Sequence, residues 1–156
     1  MQMNEFDRDF VERTKWIIQN VDCKYEVTLL LNCMLGLVSL PIEKTGNSDG
    51  DKGFKNACVQ KLVEMNVIKK NTSEGNKVFR SPRNAVSHLH ICPTSTGDSI
   101  EKIILSDMVE KNAQPHTQLE FTVEQLREFA LFVADKHLER LDMTSKKRNG
   151  ADIPKA

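Results

Sequence analysis

The chain has 156 residues, room for one ordinary hydrophobic core but not for two. Its 22 lysines and arginines balance 22 aspartates and glutamates, so no bulk field draws it to nucleic acid or to an anionic membrane; phosphate recognition, if present, must come from a local cluster. Four cysteines, Cys23, Cys33, Cys58 and Cys92, lie far apart without a C-x-x-C pair, which argues against a disulfide scaffold and for reduced thiols in a cytoplasm.

The opening "MQMNEFDRDF" is acidic and lacks the apolar block of a secretory signal, so a cytoplasmic protein is expected. Asn4 can cap a first helix whose apolar positions Phe6, Phe10, Ile17, Ile18 and Val21 recur at three- and four-residue intervals. A second helix, from about Lys24 to Leu40, is apolar nearly all round. Its uncharged run, "VTLLLNCMLGLVSLPI", is shorter than the roughly 18 residues of a membrane span and contains Asn32, Gly36 and Pro41, so it reads as the central core helix, ended by Pro41. The polar "EKTGNSDGDKG" then predicts a loop. Phe54, Cys58, Leu62 and Met65 mark a third helix ending near Asn66, followed by a turn at "KKNTSEGNK".

Ser81 and Pro82 read as the N-cap and first residue of a short helix, "PRNAVSHL". The period then changes: "SIEKIIL" and "QLEFTV" predict a small β-hairpin. Thr122 and Gln125 form a T-x-x-Q capping box for a last helix with Leu126, Phe129, Ala130, Val133, Leu138 and Leu141 on its core face. That helix is expected to end near Leu141. The domain therefore spans residues 4–141, and residues 142–156, with the Lys146-Lys147-Arg148 cluster, are expected to be a disordered tail.

The stretch that suggests chemistry is "SPRNAVSHLH", residues 81–90. On a helix Asn84 and His88 share a face, whereas Arg83 lies about 140° from His88 and must reach around. An anion near Pro82–Asn84 would meet the free N–H groups of a helix start as well as the Arg83 guanidinium. Histidine is one of few side chains able to exchange a proton near neutral pH, which makes His88 a candidate, and Asn84 can orient it or bond a phosphate oxygen. Taken alone, a histidine on a short helix is more often a structural or surface residue. A metal reading of "HLHIC" is weaker still: in a straight strand His88 and Cys92 are about 13 Å apart, too far for one zinc ion. Phosphate-cradling, dinucleotide-binding and nucleophile-elbow templates are absent, and no cofactor is expected. Cys92 lacks an assigned base, His116 reads as a loop residue, and His137 reads as a helix-end residue.

"RNAVSH" resembles the R-N-x-x-x-H form of the arginine–histidine motif of the HEPN superfamily, the "higher eukaryotes and prokaryotes nucleotide-binding" domains. The order of elements around it, from "FDRDFVERTKWIIQNV" to "TVEQLREFALFVADKHLERL", is similar to a bacterial plasmid-encoded branch of that superfamily. The resemblance implies a mainly α, HEPN-like helical bundle with the hairpin before the last helix, and a homodimer whose two motifs face each other. It also implies metal-independent RNA cleavage. Arg83 would hold the scissile phosphate and His88 would handle protons, with Asn84, Ser87 and His90 in support. Members of this kind are often toxins or antiviral-defence components, so an antitoxin or defence-system protein is an expected partner and a membrane is not. Other members keep the fold as RNA-binding or protein-interaction modules without activity.

The chemistry asks for a pair of imidazoles in any case. Cleavage by the neighbouring 2′-hydroxyl needs one base and one acid, and a single histidine cannot start in both states. A second copy's His88 can fill the other role across a two-fold axis. His90 is the rival within the chain, disfavoured if the helix continues and points it elsewhere.

Overall fold

The computed structural model describes residues 3–44, 49–71, 75–96, 99–108 and 114–151. Five helices and a four-stranded sheet make up the described chain: α1 (Met3–Asn20), α2 (Glu26–Lys44), α3 (Asp49–Glu64), β1 (Ile68–Asn71), a 3-10 helix (Gly75–Arg80), α4 (Ser81–Ser87), β2 (Ile91–Thr96), β3 (Ser99–Asp107), β4 (Thr117–Thr122) and α5 (Val123–Ala151). The fold is mainly α, as expected.

α2 is the core helix anticipated from its composition. Leu30, Met34, Leu37 and Val38 are fully buried, and α2 packs against α1, α4 and α5. Gly36 leaves room for the Phe10 ring of α1, because a Cβ there would lie 2.8 Å from Cζ of Phe10. α5 crosses α1, α2 and α3 and buries Leu126, Phe129, Ala130 and Val133. Its start is the capping box read from sequence: Gln125 N–H donates to Oγ1 of Thr122 at 3.1 Å, and Thr122 N–H donates to Oε1 of Gln125 at 2.9 Å. No helix among the described residues is long and apolar enough to cross a membrane.

Several boundaries differ from the sequence reading, each for a local reason. α2 runs through Pro41 to Lys44: a proline's fixed φ is compatible with helical backbone, so it removes one bond of the ladder without ending the helix. α3 starts at Asp49, inside the expected loop; residues 45–48 of that loop lie outside the described residues. α5 continues past Leu141 to Ala151, since "DMTSKKRN" contains neither proline nor glycine to stop it. Of the expected tail, residues 152–156 lie outside the described residues. The longer helix also moves His137 from an expected end to a buried mid-helix site, where its ring packs 5.8 Å from that of Phe54.

The two strands read from sequence occur as β3 and β4, antiparallel and in register from Lys102↔Thr122 to Asp107↔Thr117. They are not an isolated hairpin. They form the centre of a sheet ordered β1-β4-β3-β2, in which β1 replaces part of the expected turn at 69–77 and β2 follows the histidine stretch. Ile103 and Leu105 of β3 and Leu119 and Phe121 of β4 alternate inward, with Phe121 5.9 Å from Phe129 of α5. This places the end of β3 directly against α4.

Candidate active site

The short helix α4 is built differently from the sequence reading, and the difference relocates the chemistry. The 3-10 helix runs straight into it, and Arg80, not Ser81, stands at the N-cap position with helical dihedrals (φ −80°, ψ −18°) and no side-chain cap bond. Ser81 and Pro82 are buried. The open helix start expected to cradle an anion is therefore covered by the preceding turns. Ser81 instead donates its hydroxyl to Oδ2 of Asp107 on β3, at 3.2 Å.

Asp107 also receives Nδ2 of Asn84, at 3.3 and 3.4 Å to its two oxygens. With the amide nitrogen committed to a carboxylate, Oδ1 of Asn84 faces the other way and accepts from Nη1 of Arg83 at 3.4 Å. A chain of contacts thus runs Asp107–Asn84–Arg83, from the sheet to a half-buried guanidinium. Asp107 was absent from the sequence reading. It lies 23 residues from Asn84, at the end of a strand recognised only for its apolar alternation, and nothing local marked it.

α4 ends after one more turn. His88 is its C-cap, its N–H bonded to the Asn84 carbonyl at 3.0 Å, and its imidazole is exposed. The backbone then reverses through Leu89, with Leu89 N–H bonding the Val86 carbonyl at 3.2 Å and His90 N–H bonding the Ala85 carbonyl at 2.8 Å. The helix does not continue, so the condition that would have aimed His90 elsewhere is not met. The His88 and His90 rings lie 6.0 Å apart between centroids, tilted by 31°. Nδ1 of His90 is buried without a hydrogen-bond partner, and the His90 carbonyl accepts from Ser106 N–H at 3.0 Å.

Of the sequence-nominated residues, Arg83 and Asn84 are joined directly, and His88 is coupled to Asn84 through the backbone. His88 and His90 are ring neighbours; Ser87 is exposed on the last turn of α4. Cys92 is exposed on β2, and no group of three or more His, Cys, Asp or Glu side chains is placed to hold a metal ion among the described residues. His116 precedes β4 and is exposed. Burial pushes the Cys33 thiol up and the Cys58 thiol up to about 12, which keeps both protonated and unsuited to nucleophilic chemistry.

A family model described as HEPN pEK499 p136 matches residues 1–143, nearly the whole chain and all of the motif region. The chain belongs to this HEPN family. Comparison with curated proteins and with solved structures gave no significant match. Membership supplies a HEPN-type domain around the R-N-x-x-x-H stretch, and the structure places the histidine of that stretch in solvent at the end of a helix anchored to the sheet by Asp107.

Proposed function

We propose that this HEPN protein is a metal-independent endoribonuclease acting in the cytoplasm, with Arg83 and His88 as its catalytic pair. The observation that carries the reading is the exposed His88 imidazole at the end of α4, on a segment whose half-buried Arg83 is oriented through Asn84. In the proposed reaction the ribose 2′-oxygen attacks the adjacent phosphorus while a base takes its proton. The P–O5′ bond breaks, and an acid protonates the departing 5′-oxygen. The products are a 2′,3′-cyclic phosphate and a 5′-hydroxyl. Arg83 neutralises the phosphate as negative charge builds on its oxygens, the role a planar guanidinium fills best.

The second imidazole comes from a partner copy in a homodimer whose motifs face each other, with two copies each of Arg83 and His88. A second source is supported by one observation of this chain: His90 stands 6.0 Å from His88, close enough for the two to flank one phosphate. A role as a toxin or antiviral-defence component, with an antitoxin or defence protein as partner, accords with the same chemistry.

The test is purified protein incubated with bulk RNA in excess EDTA. Cleavage that survives the chelator and is lost in His88→Ala and Arg83→Ala is expected, and toxicity on expression should be relieved by the same substitutions. A wild-type protein that binds RNA but leaves it intact would identify a non-catalytic RNA-binding module instead. One that neither binds nor cleaves RNA would point to protein interaction.

A further inference from the structure

Burial along the segment leading into the motif has a period of three. Lys77 is exposed, Val78 and Phe79 are buried, Arg80 is exposed, Ser81 and Pro82 are buried, and Arg83 is half-exposed again. The backbone explains the rhythm. Lys77 and Arg80 lie on the 3-10 helix, where residues three apart eclipse one another with a separation of about 6 Å along the axis. Arg80 keeps helical dihedrals into α4, and three residues of an α-helix fall about 60° short of a full turn, so Arg83 continues the same edge. With the intervening side chains committed to the core, the three cations are left in one row.

Their charges are also unspent. Arg8, Lys15, Lys61, Lys102 and Arg127 each pair with a carboxylate, whereas none of Lys77, Arg80 and Arg83 has an ion-pair partner among the described residues. In a chain of zero net charge this is a local excess of positive charge ending at the candidate catalytic arginine.

We infer that Lys77 and Arg80 extend the Arg83 site as a track for the sugar-phosphate backbone of single-stranded RNA, holding phosphates adjacent to the scissile one. The inference rests on the RNA reading of the site. It adds a ligand class and a binding direction, outward along the 3-10 helix, and it implies recognition without base preference, since phosphate contacts position the strand but do not read it.

Binding should be measured with a 2′-O-methyl decanucleotide, which lacks the attacking hydroxyl, at several salt concentrations, for wild type, Lys77→Gln, Arg80→Gln and the double variant. Each lost phosphate contact on a single strand should flatten the slope of log K against log salt by about 0.7, and the two losses should add. Lys24→Gln, on the turn between α1 and α2, should leave the slope unchanged, and unaltered circular dichroism melts will confirm that the exposed substitutions fold. In cleavage, the kcat/KM advantage of a cleavable decanucleotide over a dinucleotide should shrink at least tenfold in the double variant. Wild-type slopes in both single variants would overturn the track while leaving the nuclease reading intact if the dinucleotide is still cut. Salt-dependent binding that responds to Lys77 and Arg80 without any cleavage would sustain the track and sink the catalytic reading. Absence of RNA binding by wild type would remove the track.

Discussion

Asn66 and Leu89 occupy the same position in the same helix-ending turn. Each has positive φ, 55° and 56°, and each is followed by a residue whose N–H reaches back into the last helical turn, at 3.4 Å for Val67 and 2.8 Å for His90. Asparagine tolerates that conformation; leucine, with a Cβ crowding the carbonyl, is strained by roughly 1–2 kcal/mol. Packing does not compensate at Leu89, whose side chain is 82% exposed. Leu89→Gly should therefore stabilise the fold. The relief is partly offset by glycine's greater freedom when unfolded, about 0.5–1 kcal/mol, leaving a gain of up to about 1.5 kcal/mol. At about 2–4 °C per kcal/mol for a chain of this size, the melting temperature should rise by up to about 6 °C, measurable by calorimetry; a fall would contradict the strain. The strained turn lies between the two imidazoles, whose ring centroids stand 6.0 Å apart.

At the scale of elements, β3 fastens both ends of the motif. The Asp107 carboxylate takes Ser81 and Asn84 at the start of α4, and the neighbouring Ser106 N–H takes the His90 carbonyl after its end. A seven-residue helix has too few internal bonds to be stable alone, so its position is set by this strand and by the packing of Ala85 in the core. Asp107→Ala removes the acceptor of a buried hydroxyl and frees the Asn84 amide. A loss of about 1–3 kcal/mol is expected from denaturant titration, together with weaker RNA cleavage as Arg83 loses its orientation. Asp107→Asn should recover part of both, because its amide oxygen still accepts one of the bonds. Equal stability of Asp107→Ala and wild type would show that the strand does not hold the helix.

For the whole molecule the open matter is how many chains make one site, and the two sources of the second imidazole separate by concentration. A site shared across a two-fold axis loses specific activity on dilution below the dimer dissociation constant, and His90→Ala leaves most of the activity in place. A site completed within one chain keeps constant specific activity on dilution, while His90→Ala costs about 10²–10⁴-fold, the usual contribution of a general acid or base. Cleavage rates over a protein dilution series, set beside the solution mass, decide between them. The prediction for the homodimer is the first pattern.

The sequence by itself determined what depends on neighbours along the chain. The apolar period of α5 and its Thr122–Gln125 box, the all-round apolar character of α2, the end of α3 close to Asn66 and the inward alternation of β3 and β4 all follow from local geometry and were legible. So was the R-N-x-x-x-H stretch and with it the family. What only the tertiary structure decided involves partners far apart in sequence. β1, "IKKN", and β2, "ICPTST", carry little apolar alternation and are strands because β4 and β3 pair with them. Ser81 looks like a cap until the 3-10 helix turns straight into α4 and Asp107 claims its hydroxyl. The nearness of His90 to His88 depends on a helix stopping at Ser87 and reversing through a left-handed leucine. A hydrogen bond or strand pairing between distant residues leaves no periodic trace, because either partner alone is compatible with many other arrangements.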